Sequence, residues 1–105
     1  MKKILSLLLT LALLCPCFAA MAANLYENGM QMYDDGQYEA AMVLWKQAAL
    51  DGDVAAMNAI GILYYSGSGV EQDYAKAREW FEKAAALGHE DALECLAELD
   101  ELIQP

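Results

Sequence analysis

The sequence predicts an all-α fold, a short α-solenoid of antiparallel helix pairs holding about two repeats and a capping helix. Three observations carry this. From Leu25 onward alanine, leucine and methionine dominate, no proline falls between Pro16 and Pro105, and no apolar/polar alternation argues for strands. Gly36, Gly52, Gly67, Gly69 and Gly88 punctuate the chain at helix-length intervals. The chain also repeats itself. A shift of 36 residues places Tyr38 on Tyr74, Ala41 on Ala77, Trp45 on Phe81, Ala48 on Ala84, Gly52 on Gly88, Ala56 on Ala92 and Leu63 on Leu99. Upstream, an offset of 32 places Gly29 on Gly61 and Tyr33 on Tyr65; the longer loop from Ser66 to Asp73 absorbs the difference.

Five helices follow. The first runs about Leu25 to Tyr33 and ends at Asp34-Asp35-Gly36. The second runs about Tyr38 to Leu50 and stops at Gly52, which suits a left-handed C′ position. The third starts after Asp53, an N-cap residue type, and reaches about Tyr65. Ser66-Gly67-Ser68-Gly69 reads as a turn. The fourth starts after Asp73 and closes near Leu87-Gly88, and the fifth runs about Asp91 to Ile103. Repeat 1 thus spans about 25–52, repeat 2 about 53–88, and the cap about 91–103. Small residues (Gly29, Gly61, Ala41, Ala77, Ala48, Ala84) stand where helices cross closely, and Trp45, Tyr64, Trp80 and Phe81 fill the gaps between. One such pair cannot bury its apolar face alone, so pairs stack.

The N-terminus has a different character. Lys2-Lys3, an apolar run from Ile4 to Leu14, and the small residues Ala19, Ala20, Ala22 and Ala23 form the n-region, h-region and cleavage site of a signal peptide over 1–22. Cleavage is expected before Ala23, with a cut after Ala19 as the alternative, and the mature domain is 23–105. The destination is the periplasm or the exterior, and the membrane is met only through the signal peptide during export. The mature chain keeps four cations (Lys46, Lys76, Arg78, Lys83) against all 16 acids, a formal net charge of −12. Such a surface repels phosphate backbones, which excludes nucleic acid, and it suits a basic protein partner or serves solubility. Cys95 is the one cysteine left, so no internal disulfide staples the domain. It is placed in the core or as a thiol linking two chains.

No nucleophile–base pair stands out, and no catalytic residue, cofactor or metal is expected. His89 follows Gly88 at a helix end, where it is expected to meet exposed carbonyls. Glu90, Asp91, Glu94, Glu98, Asp100 and Glu101 lack the spacing of a calcium loop and read as a solvated helix face. Gly67-Ser68-Gly69-Val70 lacks the lysine and hydroxyl of a phosphate loop.

The stretch Ala56-Met57-Asn58-Ala59-Ile60-Gly61-Ile62-Leu63-Tyr64-Tyr65-Ser66-Gly67-Ser68-Gly69-Val70, continued by Asp73-Tyr74-Ala75-Lys76-Ala77, Trp80, Lys83-Ala84-Ala85 and Gly88, resembles the Sel-one-like repeat, a branch of the tetratricopeptide superfamily. The unit from Leu25 to Gly52, with its short turn, resembles an ordinary tetratricopeptide repeat. The last unit is half a repeat, with Ala97 and Asp100 where the family has glycine and tyrosine, as fits a cap with a solvent-facing side. The resemblance implies a non-enzymatic adaptor or scaffold that binds a protein partner. Two narrower functions are known among relatives: neutralising a secreted toxin as an immunity protein, and a β-lactam-directed activity in a cysteine-rich branch whose paired cysteines this chain lacks. The family's groove-lining positions fall on Tyr26, Met30 and Tyr33, then Asn58, Ile62 and Tyr65, then Glu94, Glu98 and Glu101, aromatic at one end and acidic at the other. Pairing of edge helices into a homodimer stays open.

Overall fold

The computed structural model describes residues 16–103, with side chains from residue 24 onward. The expected n-region and the whole h-region therefore lie outside the described residues. Five helices follow one another: α1 (Pro16–Asp34), α2 (Tyr38–Leu50), α3 (Val54–Ser66), α4 (Tyr74–Ala86) and α5 (Glu90–Ile103). Each packs on its neighbours in the chain, so α1 pairs with α2, α3 with α4, and α5 closes on α4. The all-α solenoid expected from the repeats is what forms. The helix α1 differs from the expectation, since it extends back to Pro16 through the alanine-rich stretch instead of starting at Leu25. Alanine is the strongest helix former, and proline in a first turn breaks no helix bond. No described helix is long and apolar enough to cross a membrane.

Each pair is held by a glycine facing an aromatic ring. A β-carbon on Gly29 would stand 2.2 Å from Trp45 Nε1, and one on Gly61 would stand 2.5 Å from Phe81. Trp45 (2% exposed) and Phe81 (1%) are therefore pressed onto the helix backbones of α1 and α3. Trp45 cannot swing away. Its indole N–H donates to the Tyr26 carbonyl at 3.0 Å, and its ring lies between those of Tyr26 (6.2 Å between centroids) and Tyr33 (5.9 Å). Around it, Ala41, Met42, Ala48, Ala56, Ile60 and Leu63 build the main core, while Ala77, Phe81 and Leu99 form a second. Tyr64 packs against both, and Trp80 of α4 reaches back to the first. Those two rings are only half-buried, with Lys76 over Tyr64 (5.5 Å) and Lys83 over Trp80 (4.4 Å).

The junctions repeat as the helices do. Gly52 N–H donates to Ala49 O and Asp53 N–H to Ala48 O, the two bonds that close a helix around a left-handed residue. Gly88 to Ala85 and His89 to Ala84 repeat them one unit later. Asp53 then caps α3, its Oδ1 accepting from Ala56 N–H at 3.2 Å, and His89 caps α5, its Nδ1 accepting from Ala92 N–H at 3.2 Å. The imidazole thus serves the amide end of the next helix, not the carbonyl end of the last one as expected. Only its backbone N–H meets a carbonyl. The reason is position: His89 stands one repeat beyond Asp53 and inherits its task. In the longer loop, Gly69 has φ +72° and lies so close to α2 that a β-carbon would come within 2.7 Å of Tyr38 Cβ and 2.9 Å of Glu39 N. The loop after α3 is thereby seated on the start of α2.

The solvent-facing side expected for the cap holds for Ala97, which is exposed. Asp100 departs from it: it is half-buried and accepts from Arg78 Nη1, tying α5 to α4 where the family tyrosine would pack.

Gly61→Ala should destabilise the domain by about 1–3 kcal/mol, the usual cost of overpacking a core, and lower the thermal midpoint read by circular dichroism. The double variant Gly61→Ala, Phe81→Leu should recover part of that loss, because the clash partner is smaller.

Candidate partner-binding groove

The first helix of each unit lines one face of the stack. On α1, Tyr26, Met30 and Tyr33 recur at helical spacing and share a side; on α3, Ala55, Asn58, Ala59 and Ile62 do the same. Together with Trp45 beneath and His89 and Asp91 at the start of α5, these residues line a concavity of about 270 Å³. A second, of about 190 Å³, lies beside it and is lined by Ile62, Tyr65, Phe81, Cys95 and Glu98. Ile62 belongs to both, so the two form one groove running from α1 across α3 to α5.

Seven of the nine predicted positions line this groove: Tyr26, Met30, Tyr33, Asn58 and Ile62 in the first concavity, and Ile62, Tyr65 and Glu98 in the second. Glu94 and Glu101 line neither. They are exposed on α5, against which no further helix packs among the described residues, so no opposite wall rises beside them. Asp91 and Cys95 were missed by the sequence reading. Their signal was present: Ala55 and Ala59 line the groove on α3, and the 36-residue shift places them on Asp91 and Cys95.

Tyr33 is fixed by edge contact with Tyr38 (5.1 Å), and Tyr65 leans on Tyr74 (5.5 Å). Asn58 is different. It is 8% exposed, the one buried polar residue among those described, and its Oδ1 has no hydrogen-bond partner.

Charge is divided by helix. Lys46 lies on α2, and Lys76, Arg78 and Lys83 lie on α4. Over their described residues α1, α3 and α5 carry no lysine or arginine, while α5 alone holds Glu90, Asp91, Glu94, Glu98, Asp100 and Glu101. Of the groove-lining helices α5 is strongly acidic and α3 is uncharged, and α2 and α4 carry the cations. Two groups report that field. Burial, then Asp53 and Asp91, push the Tyr26 hydroxyl above its ordinary range. Burial, then Glu98, Asp91 and Glu94, push the Cys95 thiol up. Negative charge therefore reaches the aromatic end as well as the acidic one. Among the described residues no three histidine, cysteine or acidic side chains gather closely enough to hold a metal ion.

A stack of helix pairs with an open, tyrosine-lined inner face is the architecture of a helical-repeat binding scaffold. The chain belongs to the Sel1 repeat family, whose pattern matches residues 19–53 and 54–89. The first unit, expected to be an ordinary tetratricopeptide repeat, is a Sel1 repeat too, and its match starts upstream of Leu25. Sel1 repeats are in general protein–protein interaction modules, and their fold is typically a non-enzymatic scaffold. No curated protein matches the chain.

Cys95 should alkylate slowly. Its raised pKa leaves less thiolate at pH 8 than a free cysteine has, so its rate with iodoacetamide should lag an unstructured cysteine peptide and keep rising beyond the ordinary thiol range. Glu98→Gln should quicken it. The shifts of Cys95 and Tyr26 both favour the neutral form, so their contribution to stability is full below the ordinary values and is lost as pH rises through the raised ones.

Proposed function

We propose that this chain is an exported adaptor whose groove binds one protein partner carrying basic residues. The observation that carries the reading is the groove itself: aromatic and methionine side chains along its floor, acids at its rim, and no lysine or arginine among the residues that line it. Tyrosine and methionine bury area while adapting to a partner, and complementary charge speeds and orients docking. Export rests on the signal pattern over 1–22, with release into the periplasm as the destination.

A sharper form of the same reading is neutralisation of a secreted basic toxin. A mature charge of −12 on an exported domain this small motivates it, by analogy to relatives of similar size. A β-lactam-directed activity has no support of that kind, since the paired cysteines of that branch are absent from the mature sequence.

Cross-linked pull-down of the tagged protein from the exported fraction of its host should enrich one dominant partner. The double variant Tyr65→Ala, Glu98→Lys should lose it, and moderate salt should weaken it, because exposed charge contacts are screened. Unchanged capture by the double variant would remove the groove from consideration. Intact mass of the protein recovered from the same fraction should correspond to a chain starting at Ala23; recovery of the full-length chain in the cytoplasm would refute export.

A further inference from the structure

We propose that the concavity between α1, α3 and the start of α5 is a socket for an arginine side chain of the partner. The assignment rests on the groove being the partner-binding face and names what one part of it recognises.

Four features of the cavity converge on a guanidinium. Its volume of about 270 Å³ lies below the usual range for small-molecule sites, a size suited to a single side chain. Tyr26 and Tyr33 offer ring faces, on which a planar guanidinium stacks better than an ammonium does. Asn58 lies in the wall, more than nine-tenths buried, and its Oδ1 has no hydrogen-bond partner. A buried carbonyl without a donor is costly, and an inserted N–H relieves it. Asp91 stands at the mouth as the counter-charge, and its field together with that of Asp53 already reaches the Tyr26 hydroxyl. Asp53 itself is engaged with the Ala56 N–H.

Nothing cationic competes for the place. Among the described residues, all lysines and the arginine lie on α2 and α4, and none of them lines the cavity. His89 does line it, but its Nδ1 is engaged by the Ala92 N–H. A guanidinium has five donors in a fixed fork. Its donors match the two acceptor types in the lining, the Asn58 amide oxygen and the Asp91 carboxylate, and its plane suits a tyrosine ring. A lysine ammonium lacks both the plane and the fork.

The test is a nitrogen-15 NMR titration of the protein as purified from its host, with N-acetyl-arginine methylamide as the probe. N-acetyl-citrulline methylamide is the neutral isostere, and Nα-acetyl-lysine methylamide is the control for charge alone. The arginine probe should give saturable shifts at the Asn58 side-chain amide and the Ala92 backbone amide. Citrulline should bind at least roughly tenfold more weakly, as loss of charge-assisted hydrogen bonds implies. Asn58→Leu, which keeps the side chain's bulk, should weaken the arginine probe by a similar factor without lowering the thermal midpoint. Asp91→Asn, at an exposed site, gives a second variant should Asn58→Leu misfold. Equal binding of citrulline, equal binding of lysine, or the absence of saturable shifts would each overturn the assignment. The groove reading is separable. If partner capture is lost in the Tyr65→Ala, Glu98→Lys protein but undiminished in Asn58→Leu and Asp91→Asn, the groove stands and the socket falls.

Discussion

A glycine pressed against an aromatic ring is the contact on which this structure depends. The backbone of α1 meets the indole of Trp45 at Gly29, and that of α3 meets the ring of Phe81 at Gly61, each at a separation that leaves no room for a methyl group. Close approach lets a large ring be buried within a two-helix unit that has little other core to offer. It also sets the phase of each first helix. Once the glycine is turned inward, the residues about a third of a turn away are committed to the inner face, and those residues are the groove.

The second constraint is the economy of the junctions. Asp53 and His89 each close one helix with a backbone N–H and open the next with a side-chain acceptor. With one residue serving both ends, consecutive helices turn back within a few residues. Pairs therefore stack directly, and Leu63 and Leu99, one repeat apart, enter successive cores. Cys95 is a free thiol, so the cohesion of the stack comes from this packing, as expected for units that stabilise their neighbours. The inner face then inherits a rigid floor, because Trp45 and Phe81, the anchors of the two cores, also line the two halves of the groove.

Electrostatics follows the same division. Cations sit on α2 and α4, where Lys76 and Lys83 lie over tyrosine and tryptophan rings and Arg78 bridges Glu82 and Asp100. Exposed pairs of this kind contribute little to stability. Their consequence is spatial: the cations stay on α2 and α4, and the two carboxylates in the groove lining, Asp91 and Glu98, face no lysine or arginine there. Asp100 makes the point at the level of one residue. It belongs to a run of acids that reads as a solvated face, yet Arg78 draws it onto α4.

Much of this was legible from the residues alone. The helices from Tyr38 onward start and stop within a residue or two of where capping residues and glycines place them, because those signals are local. The segregation of charge was equally visible, since it needs only the order of helices and the positions of four cations. Other features were not. The reach of α1 back to Pro16 follows from alanine propensity in a stretch that also reads as a signal peptide, and one sequence carried both messages. The role of the His89 ring, the pairing of Asp100, and the choice of Asp91 and Cys95 over Glu94 and Glu101 for the groove were decided by tertiary structure. Periodicity fixes which residues share a side of a helix. Which side becomes concave depends on how each pair leans on the next, and that angle is set by long-range contacts such as Trp80 against the first core, which no local pattern encodes.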